Sequence, residues 1–172
     1  NLGAEVTDWV STGSDMLDIA ISNRKYGGYP VGRITELTGL EASGKSLLAA
    51  YALSNTQKKG GIAVYIDTEA AVSRDYLTAI GVDVDKLIYL QLDALEHIFA
   101  SIDKIISNVR TADKKVPLTI VVDSVMGATT LKESESDWSK DGYATDKAII
   151  LSKAMRKLPI TVSKQNVCLI FT

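Results

Sequence analysis

Gly39-Leu40-Glu41-Ala42-Ser43-Gly44-Lys45-Ser46 is the stretch whose reading decides the fold. It matches the phosphate-cradling pattern G-x-x-x-x-G-K-[ST] at every fixed position. Arg33 to Thr38, before it, reads as a strand, and Leu47 to Leu53, after it, reads as a helix. A loop in that place lets consecutive backbone N–H groups wrap a phosphate, and the first unpaired N–H groups of the helix add positive potential. Gly39 and Gly44 permit close approach and backbone angles that a side chain would obstruct. Lys45 sets a compact positive charge against the β- and γ-phosphates, and the Ser46 hydroxyl suits a Mg²⁺ shell. Residues Gly39 to Leu47 are therefore the expected binding loop for a nucleoside triphosphate. A Gly-rich strand–helix turn carrying a surface lysine is the weaker reading once strand and helix flank the motif.

At 172 residues the chain is long enough for one domain with a proper core. Its 46% hydrophobic and 23% charged residues place it among ordinary globular proteins rather than disordered or fibrous ones. A net charge of −2 gives no electrostatic case for nucleic acid, though a local site is compatible with it. Cys168 is the single cysteine and lies in the apolar run Val167 to Phe171. It is expected as a buried, reduced thiol, in keeping with the cytoplasm. No signal peptide and no apolar stretch of membrane-spanning length is present, so no membrane partner is expected. The chain begins at Asn1 and stops at Thr172 directly after a strand-like run. Residues 1–172 thus read as a single core domain truncated at both ends.

Short apolar runs suited to buried strands are Ile34–Leu37, Ile62–Ile66, Leu87–Leu90, Leu118–Val122 and Val167–Phe171. Helical stretches fall between them, at about 46–58, 74–80, 94–109 and 143–158. The alternation predicts an α/β fold with a mostly parallel central sheet flanked by helices. Leu95, Ile98, Phe99, Ile102, Ile105, Ile106 and Val109 form a 3.6-residue stripe, the mark of a core-facing helix. Gly27 to Pro30 reads as a turn, preceded by a short helix holding Met16, Leu17 and Ile19–Ile21. Between Val125 and Tyr143 the pattern dissolves into polar residues over more than a usual connection, which marks a mobile or functional segment.

A phosphate loop needs a carboxylate to support the Mg²⁺ shell, usually at the end of a neighbouring apolar strand. The run Leu118 to Asp123 supplies one, and Asp123 is expected to orient metal-bound water. Its alternative is a helix cap. Hydrolysis further needs a base near the γ-phosphate. The strand from Ile62 ends in Asp67, Thr68 and Glu69, and carboxylates at such ends face the ligand crevice of open α/β sheets. Glu69 is the better-placed base, while Asp67 supports it or satisfies backbone groups; spacing alone does not decide. His97, the single histidine, reads as a surface or boundary residue.

These residues, in this order, resemble the RecA family of DNA-strand-exchange ATPases over nearly the whole chain. Ser11 to Ser14 with Leu17 to Ala20 looks like the family's entry segment, and Gly32-Arg33-Ile34 leads into its phosphate-loop strand. Glu41 to Ser46 is close to the bacterial loop, and Tyr65 to Glu69 resembles the strand ending in the catalytic glutamate. Val121 to Val125 resembles the metal-supporting strand, and Ala154 to Leu158 a helical segment of bacterial recombinases.

The resemblance implies ATP and Mg²⁺ as cofactors, Glu69 and Lys45 as catalytic residues, and Ser46 and Asp123 at the metal, the latter through water. It implies that Tyr76 stacks on adenine; the alternative is an aromatic packed in the core. Glu135 to Thr145 takes the place of the first DNA-binding loop, where Trp138 and Tyr143 are the side chains most able to contact bases. Ser152 and Arg156 match helix positions that approach the backbone of a single strand. Residues 132–146 contain five acids and two bases, so charge adds no argument for DNA there. The implied partners are single-stranded DNA, homologous duplex DNA and further copies of the chain in a helical filament. The competing readings are a RecA-fold hexameric helicase or other oligomeric motor, and a nucleotide-binding filament or adaptor protein without useful hydrolysis.

Overall fold

The computed structural model describes residues 5–134 and 144–172. In chain order the elements are β1 (Trp9–Val10), α1 (Asp15–Ser22), β2 (Tyr29–Pro30), β3 (Arg33–Glu36), α2 (Lys45–Lys58), β4 (Ile62–Asp67), α3 (Arg74–Ile80), β5 (Ile88–Gln91), α4 (Leu95–Ala112), β6 (Leu118–Asp123), α5 (Leu131–Ser134), α6 (Ala144–Lys164) and β7 (Val167–Phe171). Five strands pair in the order β3-β7-β6-β4-β5, and every pairing is parallel. The expected α/β architecture is the one observed.

Side-chain alternation along the strands sorts the core into two layers. Val64, Ile66, Ile120, Val122 and Leu169 join Leu95, Ile98, Ile102 and Ile106 of α4 with Leu158 and Val162 of α6. The intervening residues Ala63, Tyr65, Val121, Cys168 and Ile170 join Ala49, Ala52 and Leu53 of α2 with Leu77 of α3. The sheet is thus covered on both faces, which is why its strands read as continuous apolar runs. The small residues of α2 bring its backbone close to the sheet, and the helix carries the glycine-rich loop 39–44 at its amino end. Cys168 is buried as expected, and that burial pushes its thiol up to about 12.

Three details depart from the expected element limits. Tyr29–Pro30 forms more than a turn: it pairs antiparallel with Trp9–Val10, and the Tyr29 ring is buried. The last helix runs through Pro159 to Lys164 rather than stopping at 158. Leu158 and Val162 bury one turn apart against the sheet, and that packing outweighs the missing proline donor. A short α5 interrupts the segment after Val125, and a single bridge ties Thr129 to Ala94. Among the described residues, no helix is long and apolar enough to cross a membrane.

Candidate nucleotide site at the carboxyl ends of the strands

Register fixes the site. Asp67 lies opposite Asp123, and Val122 and Glu36 both lie opposite Phe171, so the carboxyl ends of β3, β7, β6 and β4 finish in one row. The loop after β3 turns into α2 with Ala42 at φ 58° and Gly44 at φ 90°. Left-handed residues in such a turn bend successive N–H groups toward a common point, the geometry of an anion nest. Gly44 caps α2 without a side-chain hydrogen bond, so the helix's first N–H groups have no cap from that residue. A Cβ at Gly39 would sit 2.7 Å from Ser43 Oγ, so a side chain there requires the Ser43 hydroxyl to turn aside. The Lys45 ammonium donates to the carbonyls of Gly39 at 3.0 Å and Leu40 at 2.9 Å, folded back over its own loop.

Two clefts meet at this row. One, of about 360 Å³, runs from Ser46 past Tyr65, Asp67 and Glu69 to Tyr76 and Asp123. The other, of about 670 Å³, is walled by the loop on one side and by Val125, Met126, Leu151 and Met155 on the other. Ser46, Glu69 and Asp123 line both. Tyr76 is 37% exposed at the first cleft, so it is not a core aromatic. Burial, then the negative charge of Asp123, raises its phenol above the ordinary value.

Asp67 and Glu69 separate cleanly. Asp67 is buried and accepts from the Glu69 N–H at 3.0 Å, the Val72 N–H at 3.2 Å and the Tyr89 hydroxyl at 2.9 Å. It folds the segment that carries Glu69, and thereby takes the backbone-satisfying role of the two left open by spacing. Glu69 is exposed, with one oxygen accepting from Ser124 Oγ at 3.0 Å. Gly127 leaves room for it, since a Cβ there would come within 2.7 Å of the Glu69 carboxylate. Thr68 ties the two strand ends together: its hydroxyl donates to Ser124 O at 2.8 Å and accepts from Ser124 N–H at 3.0 Å. Asp123 accepts from the Tyr65 hydroxyl at 2.6 Å and from the Thr172 hydroxyl.

Tyr65, Thr68, Ser124 and Thr172 were not among the expected site residues. Their only sequence signal is a hydroxyl placed within two positions of a carboxylate, or at a strand's end. Ser152 and Arg156 are exposed on α6, one turn apart. His97 is exposed on α4 as expected. Trp138 and Tyr143 lie outside the described residues.

The donor set near the loop is one of hard oxygens: the Ser46 hydroxyl and the Asp123 and Glu69 carboxylates. Among the described residues, no group of three or more His, Cys, Asp or Glu side chains gathers to hold a metal alone. That combination suits Mg²⁺, which prefers one or two protein oxygens together with substrate phosphates and water.

A five-stranded parallel sheet with helices on both faces, and a G-x-x-x-x-G-K-S loop where β3 turns into α2, defines the RecA-like α/β P-loop core fold. The family model for the RecA N-terminal domain matches residues 2–172, and the chain belongs to the RecA family. It is 41% identical to "Protein RecA" of Leptospira meyeri over 94% of this chain and 39% of that protein. It is likewise 41% identical to "Protein RecA" of Gluconacetobacter polyoxogenes, covering 97% and 45% of the two chains. For "Protein RecA" of Mesomycoplasma hyopneumoniae strain J the identity is 36%, with 96% and 46% covered. The chain thus spans less than half the length of these curated relatives.

Proposed function

We propose that this chain is the single ATPase core domain of a longer cytoplasmic DNA recombinase. The intact protein assembles as a helical homo-oligomeric filament on single-stranded DNA. It couples ATP binding and hydrolysis to pairing with homologous duplex DNA and to strand exchange in recombinational repair. The observation that carries the reading is the meeting of Ser46, Glu69 and Asp123 where the two clefts join beside the phosphate loop. Membership of the RecA family supports DNA as the partner.

Each residue then has a task. Backbone N–H groups of residues 39–47 wrap the phosphates, and Lys45 exchanges the carbonyls of Gly39 and Leu40 for phosphate oxygens. Ser46, and Asp123 through water, hold Mg²⁺, which when bound neutralises charge developing on the transferred phosphoryl group. Glu69 takes the proton from the attacking water. Ser124 keeps one Glu69 oxygen in place, so the carboxylate is aimed before substrate arrives. Tyr76 offers its half-exposed ring to the adenine. Ser152 and Arg156 contact the backbone of the single strand, with Trp138 and Tyr143 at its bases. ATP favours the DNA-gripping state, and hydrolysis releases it by coupling between the sites.

A strand-exchange assay with the intact protein tests the recombinase reading. Joint molecules between a single strand and a homologous duplex are expected only with ATP and only with homology. Unwinding of any duplex regardless of homology overturns it in favour of a helicase motor.

A further inference from the structure

We propose that Tyr65 and Thr172 are positioning residues whose hydroxyls clamp the Asp123 carboxylate and thereby set the affinity of the site for its divalent cation. The proposal rests on the reading of Asp123 as cation support. Tyr65 donates to Asp123 Oδ2 at 2.6 Å, and Thr172 donates to Oδ1, so each carboxylate oxygen is held by one hydroxyl.

Each donor is carried on a fixed part of the fold. Tyr65 is 1% exposed, packed in the layer beneath α2. Its ring stacks on Tyr89 at 6.3 Å between centroids, and the Tyr89 hydroxyl is itself anchored on Asp67. Thr172 is pinned at both backbone atoms: its N–H donates to Val122 O and its carbonyl accepts from Val125 N–H, each at 3.1 Å. The clamp therefore spans β4, β6 and the end of β7 and is built from rigid parts.

Its chemistry is distinctive. The donors on the two Asp123 carboxylate oxygens, Tyr65 and Thr172, are both neutral hydroxyls. Neutral hydroxyls fix the direction of a carboxylate without cancelling its charge, whereas a cationic partner would compete with the metal. A carboxylate has about four lone-pair sites, and two hydroxyls leave about one on each oxygen. Outer-shell donors of this kind aim the group that serves the metal.

The test uses the intact protein with Tyr65→Phe, Thr172→Val and Asp123→Asn. Mn²⁺ affinity is read by electron paramagnetic resonance in the presence of a non-hydrolysable ATP analogue. Metal-free analogue binding and thermal melting are measured beside it. Y65F and T172V are each expected to weaken Mn²⁺ binding about tenfold, with metal-free analogue affinity held within about twofold. Thr172→Ser, which keeps the hydroxyl, is expected to bind Mn²⁺ like the parent and serves if Y65F folds poorly. Unchanged Mn²⁺ affinity in Y65F and T172V, beside a loss in D123N, overturns the clamp alone. Unchanged affinity in D123N as well overturns the placement of the cation and the clamp with it.

Discussion

Replacing Lys45 with Ala is expected to abolish ATP turnover by the intact protein and to weaken nucleotide binding at the same time. Among the described residues the ammonium has no acidic partner to lose; it rests on two carbonyls of its own loop. Its charge is therefore available for phosphate, where a charge-assisted hydrogen bond contributes about 1.5–3 kcal/mol, or roughly one to two orders of magnitude in affinity. Removing such a donor from a transition state costs on the order of 10²–10³ in turnover. Equilibrium binding of a fluorescent ATP analogue, with steady-state hydrolysis on the same sample, checks both. Lys45→Arg is expected to fail as well, because a planar fork does not fit a cradle shaped for a point charge. Near-normal binding and turnover in K45A would remove the phosphate role from this loop.

Glu69→Gln is expected to separate the two quantities. Gln keeps an oxygen able to accept from Ser124 Oγ, so the side chain stays where the carboxylate stood. It lacks the basicity to take a proton from water, a contribution of about 10²–10⁴ in rate. Analogue binding should therefore match the parent while single-turnover hydrolysis falls by that factor. Asp67 does not substitute, since its oxygens are committed to two backbone N–H groups and Tyr89. Hydrolysis at the parental rate in E69Q would sink the assignment of the base.

The fold was legible because its forces are periodic. Strands buried on both faces read as unbroken apolar runs, and α4 wrote its burial into a 3.6-residue stripe. The loop of residues 39–46 stood out because its pattern is local in sequence. The rest depended on contacts that leave no period. Asp67 and Glu69 are two positions apart and equally acidic, and only folding makes one an anchor and the other exposed. The pairing of Trp9–Val10 with Tyr29–Pro30 joins segments too short to show alternation. The reach of Tyr65 toward Asp123 crosses from one strand to its neighbour, which register alone creates. The continuation of α6 past Pro159 shows tertiary burial overriding a local breaker.

These residues form a site that matters to DNA only if occupancy of one partner alters the chemistry at the other. The most direct measurement is ATP hydrolysis by the intact protein with and without single-stranded DNA, at two salt concentrations. Strong stimulation by the strand is expected, and it should weaken at the higher salt, because phosphate contacts bind by releasing counterions. Hydrolysis that no nucleic acid stimulates at either salt would contradict a DNA-coupled ATPase and leave a nucleotide-binding adaptor in its place.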